Sequence, residues 1–394
     1  MNKLKIYFTL VFFIAVSLNG FSQFNTPEDM KEAKEMLAIC NSFTFLDLYN
    51  SDREIIPKGY KKTYTSGTLG MDNKYQIYQT EKTAVINLRG STAKKISWME
   101  NIYSSMISAN GFIVLPEDTF FYKFASDTAA NVHAGYTLGV AFLAKGLISA
   151  IKSLNYDGIY NITLTGHSQG GSLAILIRAY LENLPKGTID SRNQFKTFAF
   201  AHPKVGNKEF VSNYDSYCEK WSSYSIVNTA DFIPKMPLSV AEQETNSLQS
   251  IASLFFDKSS PSLKEIIGKK LGGIYGNSIS NYMKSSSESI HKNISKELGT
   301  IEMPPYQDEI NYVEMSNRIE LNKFEYPKIL KDSLALQNES SISSTKKSEE
   351  DSSIYKEEPS FFQHKPYNYY VGFLKEFYPI EYEELTIKYL PENL

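Results

Sequence analysis

A serine between two glycines is the clearest candidate for chemistry in this sequence. A Gly-x-Ser-x-Gly motif is formed by Gly166, His167, Ser168, Gln169 and Gly170. In such a motif the serine sits on a sharp turn between a strand and a helix, and the glycines leave room for the turn. A β-rich run over 161–165 precedes the motif, and a helical pattern over 172–184 follows it. The pattern predicts a nucleophilic serine, Ser168, presented on a tight turn.

A nucleophilic serine needs a histidine to accept its proton and an acid to orient that histidine. In proteins with this motif, both partners follow the serine in the chain. Asp231 meets this condition and comes directly after the apolar run 224–229, where a carboxylate would lie in a loop at the end of a strand. Of the five histidines, only His291 and His364 follow Asp231. Chain order alone leaves both open as the base.

The segments around these residues alternate between strand and helix patterns. The runs 75–79 and 83–88 have the β-branched and aromatic residues of a hairpin, and 132–154 has the length and pattern of a helix. The short apolar runs 197–201 and 224–229 continue the alternation after the serine motif. This order predicts an α/β fold with a mostly parallel sheet flanked by helices.

Two amphipathic segments predict further helices. Thr26 is followed by a proline and two acidic residues, which is a typical helix start, and apolar residues then recur on one face as far as Cys40. The segment 94–107 has a second apolar face. This face consists of Ile96, Met99, Tyr103, Met106 and Ile107.

Five blocks in this order resemble the class 3, or fungal-type, lipases of the α/β-hydrolase superfamily. The blocks are Thr83–Ser91, Val132–Tyr136, Thr165–Ala174, Phe200–Asn207 and the Asp-x-x-Pro segment at Asp231. The resemblance implies an α/β-hydrolase fold with Ser168, Asp231 and His364 as catalytic residues. It favours His364 over His291 because the aromatic segment around His364 resembles the family's histidine loop and last helix.

The oxyanion formed by attack on an ester needs fixed N–H donors. One donor is the backbone N–H of Gln169, at the start of the helix after the serine. The resemblance assigns the second to the N–H of Ser91, whose hydroxyl would add a third hydrogen bond. In the family a mobile lid lies near 94–107, although a helix simply packed on the sheet fits the same amphipathic pattern.

The sequence departs from the family pattern in several places. Gln169 replaces the usual leucine, Lys204 replaces an arginine, and His202 occupies a variable site. The largest departure is a long insertion between Asp231 and His364.

Composition changes along the chain predict five segments. Lysines followed by a short apolar run predict a secretory signal peptide and hence export to the periplasm or the medium. The sequence has no second long apolar run, so no membrane span is expected in the mature chain. The segments are a signal peptide over 1–22, a lipase-like α/β-hydrolase core over 23–240, a helical insertion or cap over 241–332, a low-complexity flexible loop over 333–359, and a C-terminal segment over 360–394 that rejoins the core with the catalytic histidine.

The composition argues against several other functions. The net charge of −3 gives no basic field for nucleic acid, and the known metal, phosphate and dinucleotide motifs are missing from the sequence, so neither a metal nor a cofactor is expected. Cys40 and Cys218 are too few for a disulfide scaffold. They either pair after export or are both buried thiols.

Two hypotheses about function follow. The first is a secreted serine lipase or esterase that cleaves lipid esters, acylglycerols or phospholipids, through an acyl-enzyme, with contact to a lipid interface. The second is a secreted binding or structural protein that keeps the hydrolase fold with weak turnover or none, because a fold does not determine a function. The oligomeric state stays open.

Overall fold

The computed structural model describes residues 24–218, 222–237, 278–331 and 354–394, and for 278–286 it describes the backbone alone. The predicted signal peptide lies outside the described residues. So do the part of the predicted insertion before residue 278 and most of the predicted low-complexity loop.

A seven-stranded sheet forms the centre of the fold. Its strands are β1 (Lys61–Thr65), β2 (Tyr75–Gln79), β3 (Thr83–Leu88), β8 (Asn161–His167), β9 (Gln194–Phe200), β10 (Ser223–Asn228) and β11 (Arg318–Leu321), in that spatial order. The first three pair antiparallel, and β3, β8, β9, β10 and β11 pair parallel. The sheet is therefore mostly parallel, as the alternation of strand and helix patterns predicts.

Two small antiparallel pairs lie outside this sheet. They are β4 (Met106–Ser108) with β7 (Asn131–His133), and β5 (Asn110–Val114) with β6 (Thr119–Lys123).

Helices cover both faces of the sheet. The α-helices within the described residues are α1 (Pro27–Cys40), α2 (Ser42–Tyr49), α3 (Lys95–Ile102), α4 (Ala134–Tyr156), α5 (Gln169–Glu182), α6 (Lys208–Tyr217), α7 (Ser278–Leu298), α8 (Pro366–Phe377) and α9 (Pro379–Glu384). Successive residues of β3 reach different cores: Ile86 packs in the cluster that contains α4 and α5, and Val85 in the cluster that contains α1 and α8. A strand buried on both faces belongs in the middle of a layered α/β fold.

The predicted helix start at Thr26 is confirmed. The Thr26 hydroxyl accepts a hydrogen bond from the Asp29 N–H at 3.0 Å, and the Asp29 carboxylate accepts one from the Thr26 N–H at 3.2 Å. Such a capping box stabilises a helix end by about 0.5–2 kcal/mol. Asp29 also pairs with Lys196 of β9, so the cap fixes α1 against the sheet.

One predicted helix is shorter in the structure, and another begins two residues later than predicted. The pattern over 94–107 is helical only as far as Ile102, because 106–108 instead form β4 and pair with β7. For the same reason the helix predicted from residue 132 begins at Ala134. Short apolar runs suit a helix face and a buried strand equally well, so only the pairing of β4 with β7 distinguishes them.

The predicted insertion, 241–332, contains a strand of the central sheet. β11 pairs with β10 from Ser225 with Arg318 to Asn228 with Leu321, and extends the parallel part of the sheet by one strand. The helical character of the segment is confined, within its described part, to α7, which packs beside α3. A four-residue strand gives too short an alternation to be recognised in the sequence.

Within the described residues, α4 alone is long and apolar enough to cross a membrane. Its apolar window is 67% buried inside the protein, where α4 packs against α3 and α5. Core helices of folded domains commonly have this composition.

Both cysteines are buried free thiols, which decides between the two alternatives for them. The Cys40 thiol lies 3.5 Å from the Thr165 hydroxyl. Burial raises the pKa of Cys40 to about 12 and that of Cys218 to about 11, so both stay protonated and unreactive at neutral pH.

We predict that a thiol-specific reagent labels the native protein slowly at neutral pH and labels two thiols once the protein is unfolded in denaturant without reductant. The physical reason is that the reactive thiolate is suppressed by burial. Titration of free thiols by absorbance provides the measurement. Zero thiols in the unfolded, unreduced protein would reveal a disulfide and contradict the structure.

Candidate active site

Ser168 occupies the turn between β8 and α5. Its backbone has φ 59° and ψ −129°, a conformation that costs an ordinary residue of order 1–3 kcal/mol. The turn is tight: a Cβ at Gly166 would lie 2.3 Å from the Gly170 carbonyl carbon, and a Cβ at Gly170 would lie 2.2 Å from the Leu88 carbonyl oxygen. The two glycines of the motif are therefore required by contacts with the backbone.

His364 lies between Ser168 and Asp231. Its Nε2 is 2.8 Å from Ser168 Oγ, and its Nδ1 is 2.7 Å from Asp231 Oδ2. An ionised carboxylate only accepts hydrogen bonds, so Nδ1 carries the proton and Nε2 accepts the hydrogen bond of the serine hydroxyl. In this arrangement His364 can take the serine proton while the carboxylate stabilises the imidazolium that forms.

Asp231 follows β10 and is 1% exposed. Its Oδ1 accepts the backbone N–H of Ile233 at 3.0 Å, and its Oδ2 accepts the Tyr369 hydroxyl at 2.7 Å in addition to His364. The Tyr369 oxygen in turn accepts the Asn228 N–H at 2.9 Å. The carboxylate is thus fixed from three directions.

No sequence motif predicts a role for Tyr369. Burial, followed by the neighbouring Asp231, raises the pKa of its hydroxyl well above the usual range, so the hydroxyl remains a donor. The only signal in the sequence is its place in the aromatic segment that begins near His364.

A short 3-10 turn, Phe362–His364, carries the histidine. The preceding Gln363 accepts hydrogen bonds from the Asn228 side chain at 2.8 Å and the Phe324 N–H at 3.1 Å, and donates to the Phe324 carbonyl at 2.7 Å. These bonds connect the C-terminal segment to Asn228 at the end of β10 and to Phe324 in the loop after β11. His364 therefore reaches Ser168 although 133 residues separate it from Asp231 in the chain.

His291 lies elsewhere, on α7. Its Nε2 is 3.0 Å from the Ile301 carbonyl oxygen, and its ring stacks on Tyr103 with centroids 6.2 Å apart. Of the two candidate histidines, the structure brings His364 to Ser168 and leaves His291 in contact with Ile301 and Tyr103.

The other three histidines are buried and neutral. Burial lowers the pKa of His133 to about 3 and that of His202 to about 4, and lowers the pKa of His167 well below its usual range. The His133 Nδ1 accepts the Tyr136 N–H and caps α4. The His167 ring packs against the His364 ring, with centroids 4.9 Å apart.

Ser91 and Gln169, the predicted oxyanion residues, are in direct contact. The Ser91 hydroxyl donates a hydrogen bond to Gln169 Oε1 at 2.9 Å. Ser91 follows β3, and Gln169 is the first residue of α5, whose N-terminal N–H groups have no partner within the helix. The side chain of Gln169 is 1% exposed and points into the protein.

The loop after β3 is also anchored by Asp72. The Asp72 carboxylate accepts hydrogen bonds from the Thr92 hydroxyl at 2.7 Å and Lys94 Nζ at 2.8 Å, and pairs with Arg89 at 3.1 Å. These contacts hold the residues on both sides of Ser91. Lys204 and His202, the other departures from the family pattern, are both buried.

The described residues contain no group of three or more His, Cys, Asp or Glu side chains that could hold a metal ion.

The fold and the serine turn define the class of protein. A mostly parallel sheet with helices on both faces, and a serine turn after one of its central strands, is an α/β-hydrolase fold.

Residues 85–241 match the family model of the class 3 lipases. A secreted mono- and diacylglycerol lipase of Malassezia globosa is 36% identical over 42% of this chain and 50% of that protein. Phospholipase A1-IIalpha of Arabidopsis thaliana is 30% identical over 31% of each. The chain thus spans about half the length, or less, of these curated relatives. Among solved structures, lipase II of Rhizopus niveus is 20% identical over 54% of this chain and 76% of that chain, with a TM-score of 0.41.

We predict that Tyr369→Phe lowers kcat for a short soluble ester by roughly tenfold with little change in KM. A hydrogen bond to a charged acceptor contributes about 1.5–3 kcal/mol, and the Asp231 carboxylate has to stabilise a positive charge when His364 is protonated. Steady-state kinetics and thermal unfolding are measured together. Tyr367→Phe is the matched control, since Tyr367 lies on the same helix and donates to the Ile387 carbonyl at 2.7 Å. Equal losses of kcat in both variants would contradict a specific role for Tyr369.

Proposed function

We propose that the protein hydrolyses carboxylic esters of lipids through an acyl-enzyme on Ser168. The observation that carries this proposal is the hydrogen-bonded series from Ser168 Oγ to His364 to Asp231, at 2.8 and 2.7 Å. A serine hydroxyl is a weak nucleophile until a positioned base removes its proton, and this arrangement supplies that base. Ser168, Asp231 and His364 are the catalytic residues of the proposal.

The reaction has two halves. In the first, Ser168 Oγ attacks the ester carbonyl carbon while its proton moves to His364 Nε2, and the resulting oxyanion is held by the N–H groups of Gln169 and Ser91. The carbonyl re-forms as the alcohol leaves with the proton from His364. In the second half, water attacks the acyl-serine by the same route, and the fatty acid departs.

The aromatic residues beside His364 support a lipid substrate. The Phe361 ring lies 6.3 Å from the His364 ring, 6.2 Å from Trp98 and 5.5 Å from Phe232, measured between centroids. Phe361, Trp98 and Phe232 are each only partly buried. Such rings offer apolar contact to an acyl chain or a lipid interface.

The names of the relatives narrow the substrates to be tested. Relatives are named as secreted mono- and diacylglycerol lipases, and another as a phospholipase A1. We propose acylglycerols as the first substrate class and phospholipids as the second. A hydrolysis screen across acyl lengths and head groups, on the purified protein, distinguishes them.

The proposal extends to export and chain organisation. Residues 1–22 would be the signal peptide, residues 23–240 the hydrolase core, and 360–394 the segment that supplies the histidine. Between them, 241–332 would be an insertion with a strand of its own in the sheet. Export to the periplasm or the medium agrees with relatives named as secreted.

We predict that Ser168→Ala folds normally and has no measurable esterase activity, because the substitution removes the nucleophile without crowding the turn. The measurements are ester hydrolysis, circular dichroism and labelling by a fluorophosphonate probe, which reacts with activated serines. A wild-type protein that resists the probe and cleaves no ester would favour the alternative, a hydrolase-fold binding or structural protein with weak or absent turnover. Substantial hydrolysis by folded Ser168→Ala would contradict the mechanism.

We also predict that His364→Ala lowers kcat by about a thousandfold or more, since general-base catalysis contributes about 10²–10⁴-fold and the triad acts as a unit. His291→Gln is the control, because glutamine can still donate to the Ile301 carbonyl. Its kcat should stay near that of the wild type. The reverse order would assign the base to α7.

A further inference from the structure

A chain of buried polar side chains leads from Ser91 into the protein interior. Ser91 donates to Gln169 Oε1 at 2.9 Å, Gln169 Nε2 donates to Asn73 Oδ1 at 3.1 Å, and Asn73 Nδ2 donates to Glu100 Oε2 at 2.7 Å. Gln169, Asn73 and Glu100 are at most 2% exposed. The four residues come from four parts of the fold: the loop after β3, the start of α5, the turn before β2, and α3.

Each hydrogen bond in this chain has a fixed direction. A second donor, Asn101 Nδ2, bonds both Ser91 Oγ and Gln169 Oε1 at 2.9 Å. Because Asn101 donates to the Ser91 oxygen, the single hydroxyl proton of Ser91 is directed to Gln169. The hydroxyl thus anchors Ser91, and its backbone N–H is the group left to bind an oxyanion.

Glu100 is the last member of this series of hydrogen-bonded side chains, and its carboxyl is a neutral acid. Burial raises the pKa of its carboxyl well above the usual range, although hydrogen bonds from Asn73 and Gln169 act in the opposite direction. Its Oε1 has no hydrogen-bond partner among the described residues and faces Gly139 of α4, where a Cβ would lie 2.3 Å away. A buried carboxylate with one unpaired oxygen would be costly, so the protonated form is favoured.

A leucine at position 169 could make none of these bonds. It would leave the Ser91 hydroxyl, the Asn101 amide and Asn73 Oδ1 to find other partners in a buried site. The backbone N–H of residue 169 would be unaffected by the change. The side chain of Gln169 therefore adds a link between the two oxyanion donors, in addition to the backbone N–H that it already supplies.

We propose that Gln169 is a positioning residue that holds Ser91 in place for oxyanion binding, and that Asn73 and Glu100 fix Gln169 from behind. This inference rests on the proposed ester hydrolysis at Ser168. Oxyanion donors act in the transition state, so their displacement lowers kcat while substrate binding is retained.

The test is a double-mutant cycle of Ser91→Ala and Gln169→Leu, read as kcat and KM for a short soluble ester. We expect each single variant to lower kcat by roughly ten- to a hundredfold with little change in KM, because one oxyanion donor is worth about 10²–10³-fold and is here displaced, not removed. The double variant should be no slower than the slower single variant, because both changes break the same bond. Losses that multiply would overturn the proposal, as would a Gln169→Leu variant with wild-type kcat.

A second pair of variants tests the role of Glu100 in this series of hydrogen bonds. Glu100→Gln keeps an acceptor for Asn73 and the shape of a neutral acid, whereas Glu100→Leu removes the acceptor. Glu100→Gln should keep a higher kcat than Glu100→Leu, and equal values would overturn the part assigned to Glu100. If Gln169→Leu does not fold, Asn101→Ala takes its place in the cycle, because Asn101 is only partly buried.

Thr163→Val is the control for loss of a buried hydrogen bond far from Ser91. Thr163 lies on β8, five residues before Ser168, and its hydroxyl donates to Glu32 at 2.8 Å. This variant should lose stability and keep kcat. Fluorophosphonate labelling of the wild-type protein separates the two proposals: an unlabelled, inactive wild type refutes the proposed function, whereas an active wild type with multiplying losses refutes the positioning role alone.

Discussion

The close approach of two backbone segments, after β3 and after β8, is the constraint on which the site depends. A Cβ at Gly90 would lie 2.8 Å from the His167 carbonyl oxygen, and a Cβ at Gly170 would lie 2.2 Å from the Leu88 carbonyl oxygen. Each glycine thus admits the backbone of the other segment. As a result, the residues next to these glycines, Ser91 and Gln169, come within hydrogen-bond distance. A side chain at either glycine would separate the proposed nucleophile from one proposed oxyanion donor.

The remaining groups reach this point by different routes. Parallel strands place their carboxyl ends at the same edge of a sheet, so the loops after β3, β8 and β10 lie together, with Ser91, Ser168 and Asp231 in them. His364 comes from outside this pattern. It lies in the turn just before α8 and is held in place by the hydrogen bonds of Gln363 to Asn228 and Phe324. Closing a longer loop costs only about 0.6 kcal/mol for each doubling of its length, so these few bonds can hold the histidine despite the long insertion.

Sequence patterns predict the parts of this protein that depend on neighbours in the chain. The serine turn, the position of Asp231 after a strand and the capped start of α1 all rest on residues a few positions apart. The misassigned parts depend on distant pairing: 106–108 form a strand because 131–133 lie beside them, and β11 is recognisable only by its pairing with β10. The sequence order left His291 and His364 equivalent, because their distances to Ser168 are set by tertiary structure. The contacts of Tyr369 with Asp231 and of Glu100 with Asn73 could not be predicted from the sequence for the same reason.

Position 169 has a glutamine where the family pattern has a leucine, and this one difference requires matching polar residues around it. A buried amide costs stability unless both its donor and its acceptor are satisfied, and here Asn73, Ser91 and Asn101 satisfy them. Asn73 in turn needs an acceptor, which Glu100 provides, and Glu100 fits only because α4 has a glycine at position 139. Replacing one member alone leaves the next unpaired, so the set is expected to change together or not at all. Such a buried hydrogen-bond network adds little net stability over an apolar core, but it permits fewer arrangements of its members. That restriction is what a pair of oxyanion donors requires, since their value depends on where they are held before the charge develops.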